Sequence, residues 1–178
     1  MRTSLCLLLL AVTSLTFAQD LAIGTKTVPA MYVAFVAKTS PLDAVKTEVE
    51  SGLEALWTAC REGGLHPIGL PMLSVDLSGV ENGPLNWEAW LPLADLLDPA
   101  RLPQKPGLTV KLVPAAQVCY TYHAGDPWQM EPAFLRLYQW TTNQNLPLGG
   151  RARAMFYVWP GEKSDDNTMT ECQFELRQ

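Results

Sequence analysis

Histidine is scarce in this 178-residue chain: His66 and His123 are the only two, and each stands beside a turn, where a solvated or structural place is expected. There is no C-x-x-C pair, no H-E-x-x-H, no G-x-S-x-G and no Walker sequence. The usual zinc, serine-nucleophile and phosphate-cradle sites therefore have no local support, and neither a metal nor a cofactor is expected. Positive charge is also short, with 13 Lys and Arg against 18 Asp and Glu. Such a surface repels a phosphate backbone, which excludes nucleic acid as a partner. Long apolar runs are missing too: the run from Leu5 to Val12 is too short to span a bilayer.

That run has the pattern of an export signal. Arg2 is the only charge before it, and Thr16-Phe17-Ala18 ahead of Gln19-Asp20 matches a small-residue cleavage site. Residues Met1 to Ala18 read as a secretory signal peptide, giving a secreted or periplasmic product with no stable membrane insertion. What remains, 19–178, is one domain's worth of chain. Removing Arg2 takes the net charge from −5 to −6. Cys60, Cys119 and Cys172 remain after cleavage, an odd number for an oxidising compartment. Buried thiols and a Cys119–Cys172 bridge are both compatible with their apolar neighbourhoods.

A repeated pattern organises the rest. Val28-Pro29-Ala30 opens a β-branched and aromatic stretch running to Val36, and Val113-Pro114-Ala115 opens another running to Thr121. Both read as strands. A turn and a helical stretch follow each. In the first, Val45, Val49, Leu53, Leu56, Trp57 and Cys60 recur at helical spacing and Gly63-Gly64 closes the helix. In the second, Phe134, Leu135, Tyr138 and Trp140 to Thr142 take that part. Gly/Pro segments come next, His66 to Pro71 and Leu146 to Gly150, each leading into two more strands. These are Met72 to Val75 with Trp87 to Leu93, and Ala154 to Trp159 with Thr170 to Leu176.

The expected fold is α+β: a tandem βαββ repeat, about 27–93 and 112–177 with a proline-rich linker at 94–108. The repeats should form one antiparallel sheet with both helices on one face and a ligand cleft on the other. Strand alternation sends Glu171, Gln173 and Glu175 to the face opposite Cys172, Phe174 and Leu176. By the same rule Glu88, Trp90 and Pro92 lie opposite Trp87, Ala89 and Leu91.

With this duplication in view, the chain resembles the GyrI-like, or effector-binding, domain attached to AraC-type and MerR-type regulators, over about Thr27 to Arg177. The residues carrying the resemblance are Tyr122-His123-Ala124-Gly125, Leu137-Tyr138-Gln139-Trp140, Phe156-Tyr157 and Glu171 in the last strand. The resemblance implies a pseudo-twofold pair of βαββ modules binding bulky aromatic, often cationic, small molecules between them, with a buried last-strand glutamate meeting the ligand's charge. Here that residue is Glu171, with Glu88 as its repeat partner. Trp90, Tyr157, Trp159, Tyr120 and Tyr32 are the expected aromatic walls, since ring faces and a desolvated carboxylate both attract a flat cation. Glu175 stands where the family commonly has proline. No helix-turn-helix precedes the domain, so a transcriptional role is not expected, and the protein partner is unknown. The competing reading is a hydrolase of reactive small molecules in which Glu171 activates water.

Overall fold

The computed structural model describes residues 22–78, 83–94, 108–162, 165 and 168–177. The signal-like leader and most of the linker lie outside them. Eight strands and two helices follow one another as β1 (Gly24–Val28), β2 (Met31–Ser40), α1 (Leu42–Gly63), β3 (Met72–Asp76), β4 (Leu85–Pro92), β5 (Thr109–Val113), β6 (Ala116–Ala124), α2 (Glu131–Asn143), β7 (Leu148–Phe156) and β8 (Met169–Leu176). All pair antiparallel in one sheet of order β1-β6-β8-β7-β3-β4-β2-β5. The α+β fold, with one antiparallel sheet built from two βαββ units and both helices on one face, is as the sequence implied.

Each unit carries an additional leading strand. The Val-Pro-Ala segments are breaks between strands, because proline cannot donate to a ladder and disfavours continued pairing. Thus β1 ends at Val28 and β2 begins at Met31, while β5 ends at Val113 and β6 begins at Ala116. The leading strand does not fold back on its own unit. β1 pairs with β6 of the second unit, Lys26 opposite Val118, and β5 pairs with β2 of the first, Lys111 opposite Val33. The units exchange their outermost strands, and they meet at the centre through β3 and β7.

The helices lie over the outer parts of the sheet, α1 on β2 and β4, and α2 on β6 and β8. On α1, Val45, Val49, Leu53, Leu56 and Cys60 are buried, packing with Ala34, Leu73, Trp87, Ala89, Leu91 and Phe156. Trp57 is not part of that stripe; it is 39% exposed. Gly64 closes the helix at φ 70, a left-handed cap in which a side chain would be strained. On α2 the buried residues are Ala133, Leu137 and Thr141, four apart. Phe134 and Trp140 flank them, against Cys119 and Phe174. Leu135 and Tyr138, expected to be core, are more than half exposed. The four-residue spacing from Ala133 places them on the outer side of the helix.

β7 starts earlier than the sequence suggested. Gly149 and Gly150 lie inside the strand rather than before it, at a register shift between Leu148 and Ala152, where Gly150 takes φ 92. This is a glycine serving an irregularity in the ladder.

The three described cysteines are free and buried. Cys119 donates to the Phe174 carbonyl at 3.6 Å. Burial pushes the Cys60 thiol up to about 11 and the Cys172 thiol to about 12, the latter with the Glu171 charge adding to the rise against an opposing pull from Arg136. Thiolate is the reactive form. In the folded protein at pH 8 Cys60, Cys119 and Cys172 should therefore resist an alkylating reagent, and all three should react in denaturant without prior reduction. Mass spectrometry of the labelled peptides checks this.

Candidate functional site

On the helix-free face the two units present the same constellation. In the second, Glu171 of β8 lies opposite Tyr122 of β6 and Met155 of β7. It is 1% exposed. Its Oε1 meets the Lys26 ammonium at 2.5 Å and accepts from Gln173 Nε2 at 2.6 Å. Lys26 also lies 4.8 Å over the Tyr120 ring. In the first, Glu88 of β4 takes the Lys111 ammonium and accepts from Trp90 Nε1 at 2.7 Å, while Lys111 lies 4.4 Å over the Phe35 ring. Glutamate, lysine from an exchanged strand, ring and amide- or indole-type donor correspond one to one. Arg151 adds a second cation 3.7 Å from Glu88.

Burial alone would raise the Glu88 carboxyl. The Lys111 and Trp90 hydrogen bonds and the charges of Lys111 and Arg151 outweigh it and hold the group below its ordinary value. Tyr120, Tyr122 and Tyr157 form a chain of edge contacts near Glu171, with centroids 5.8 and 6.4 Å apart. Burial and the Glu171 charge push the Tyr122 hydroxyl up to about 12.

The expected site residues therefore divide. Glu171, Tyr120 and Tyr157 come together. Glu88 and Trp90 form the equivalent group in the other unit, with Met155 and Met72 intervening along the register row from Glu171 to Trp90. Tyr32 and Trp159 face the helix side, packed against the α1 core. Lys26, Lys111, Phe35 and Tyr122 belong to the constellations and were not foreseen. The two lysines could have been found only by aligning residues ahead of the Val-Pro-Ala segments.

The helix-free face is largely filled by its own side chains: Met72, Trp90, Arg153 and Gln173 are at most 3% exposed. Its hollows, beside Glu88 and beside Lys111, are each about 240 Å³. A larger hollow of about 530 Å³ opens on the helix side, where α1 passes the end of β7. Trp57, Phe156 and Trp159 bring rings to its lining and Glu54 and Glu162 its charges, with no Lys or Arg among its lining. Trp57 and Trp159 meet edge to face at 5.6 Å. Trp128 packs 5.8 Å from the Phe156 ring and donates to Glu50 Oε1 at 2.9 Å, tying the turn before α2 to α1. Beyond it, a wholly different hollow of about 310 Å³ lies between the two helix starts, walled by Leu73, Val75, Met130, Phe134 and Ala154. His123 is structural, its Nε2 2.8 Å from the Asp126 carbonyl.

No protein-family model matches the sequence, and no curated protein is similar to it. Solved structures are similar in fold. The C-terminal domain of EcmrR superposes with a TM-score of 0.68 at 15% identity, covering 89% of this chain and 99% of that domain. The chain spans 58% of the whole EcmrR chain seen in its DNA complex. A hydrolase from Listeria innocua gives 0.61 at 11% identity, over 87% of this chain and 91% of the other. SAV2435 bound to tetraphenylphosphonium gives 0.58 at 8% identity, over 88% and 94%. At these identities the likeness is one of fold.

Removing one partner of a buried ion pair leaves the other uncompensated. Lys26→Met should cost about 2 kcal/mol or more in urea unfolding, given a lysine one-third exposed. Adding Glu171→Gln should recover much of that loss; an additive double mutant would show the pair uncoupled. Because the folded-state value of Glu88 is depressed, its contribution is present above the unfolded value, about 4.3, and is lost as pH falls through the folded one. The stability gap between wild type and Glu88→Gln should accordingly be full at pH 7 and close below about pH 4.

Proposed function

We propose that this is an exported small-molecule-binding protein whose ligand is an aromatic cation held in the hollow between α1 and the end of β7. The observation that carries this reading is the lining. Three aromatic residues, Trp57, Phe156 and Trp159, and two carboxylates, Glu54 and Glu162, line about 530 Å³ with no basic residue among them. That volume lies within the range of small-molecule sites. A flat cation gains from ring faces and from carboxylates that have no internal partner to surrender. Among the described residues no ion pair engages Glu54 or Glu162. Glu171 and Glu88 are differently placed: each already holds a lysine of this chain, so a cationic ligand there would have to displace it.

Support also comes from similarity of fold to SAV2435, solved with tetraphenylphosphonium. The leader-like sequence at Met1 to Ala18 supports action outside the cytoplasm. Water activation by Glu171 fits the geometry less well, since its Oε1 is taken by Lys26 and Gln173 and the residue is closed from solvent.

Titration with tetraphenylphosphonium or a rhodamine dye tests the assignment. Trp159→Ala should weaken binding about fivefold or more, and Glu54→Gln with Glu162→Gln about tenfold, as expected for a cation losing ring and charge contacts. Glu171→Gln should leave affinity unchanged. If Glu171→Gln alone abolishes binding in a folded protein, the ligand sits on the helix-free face and the proposal is wrong.

A further inference from the structure

The hollow of about 240 Å³ on the helix-free face is lined by Trp90, Lys111, Arg151, Arg153, Glu175 and the segment Leu112 to Pro114. Three cations converge there, answered by two carboxylates, Glu88 and Glu175. In a chain where acidic residues outnumber basic ones, this is a local reversal of sign.

Arg153 is the unusual member. It is 3% exposed. Its Nη2 donates to Glu175 Oε2 at 2.9 Å, and its guanidinium lies 5.4 Å over the Trp90 ring. Its Nε and Nη1 are buried without a hydrogen-bond partner. A guanidinium has five N–H donors, and buried donors left unmade cost free energy. Gln173, opposite Arg153 in the ladder, does not serve it: its amide donates to Glu171 and its own Oε1 is unpartnered. The other two cations are partly spent, Arg151 on Ser74 Oγ at 3.0 Å and Lys111 on Glu88. An arginine fork with unspent donors, over an indole and flanked by two more cations, is short of one acceptor group.

We propose that this hollow binds an oxyanion carried on a small apolar body, a carboxylate or a phosphate monoester. Its oxygens take the unspent donors of Arg153 together with Arg151 and Lys111, and its body lies against Trp90 and the exposed Leu112. The planar fork suits bidentate pairing with such a group. The volume limits the ligand to roughly one ring, below the usual drug-sized range. This site is separate from the aromatic hollow, which lies on the helix side of the sheet, and its occupancy does not depend on that reading.

The full chain is titrated at low salt with benzoate and with phenyl phosphate, and with benzyl alcohol as the neutral control. Saturable binding of either anion, absent for the alcohol, is the expected result, and which anion binds tells carboxylate from phosphate. Arg151→Gln, a substitution of a partly exposed residue, should weaken it about tenfold or more while tetraphenylphosphonium binding is unchanged. Arg153→Lys keeps the buried charge but loses the fork, and should weaken it similarly. No saturable anion binding, equal binding of benzyl alcohol, or undiminished affinity in both variants overturns the proposal.

Discussion

A carboxylate withdrawn from water needs a counter-charge within reach, and in this fold each repeat draws that charge from the other repeat's leader. Lys26 precedes the first unit but neutralises Glu171 in the second; Lys111 precedes the second but neutralises Glu88 in the first. The leading strands reach these glutamates only because they cross to the far unit's edge. The arrangement ties the two halves together more firmly than the β3–β7 seam alone would. Neither unit has its buried charge satisfied without its partner's strand. A unit isolated at the linker would hold an unpaired glutamate on a sheet lacking its outermost strand, so the duplication folds as one body.

The local patterns of the repeat were legible because they depend on neighbours in sequence: helical spacing in α1, the Gly64 cap, the inward turn of Glu171. The strand exchange was not, because pairing between β1 and β6 leaves no mark within either segment. Val-Pro-Ala reads as the start of a strand when it is the crossing point between two. Parity explains the divided site. In β2 the even positions face α1, so Tyr32 joins Ala34 and Val36 on the helix side, while Trp159 lies beyond the end of β7, where strand alternation no longer governs direction. In α2 an apolar count that included Leu135 and Tyr138 hid the buried stripe of Ala133, Leu137 and Thr141, in which one of the three members is polar.

The sheet thereby separates two electrostatic environments. On the helix side, the groove left between α1 and α2 over β3 and β7 is apolar at one end and aromatic and acidic at the other, with Trp128 fixed to both Phe156 and Glu50. On the opposite side the glutamates are already matched, and Arg151 and Arg153 bring cations in excess. A ligand cation and a ligand anion would each be drawn to a different face.

The repeats also show where constraint ends. Lysine and glutamate are kept in both, because losing either strands a charge. Their neighbours have diverged: Trp90 corresponds to Gln173, and Phe35 to Tyr120. Tryptophan and glutamine both donate one hydrogen bond to the glutamate, so either satisfies the ion pair. They differ in what else they offer, since the indole gives Arg153 and Lys111 a ring face, whereas the glutamine leaves an unpaired carbonyl oxygen. The substitution that is neutral for the ion pair is therefore the one that concentrates cations on the first unit's side of the sheet. Pseudo-symmetry in the skeleton of the fold is compatible with a single asymmetric site for this reason: the pairing that holds the halves together constrains only the glutamate and the lysine among the four members of each constellation.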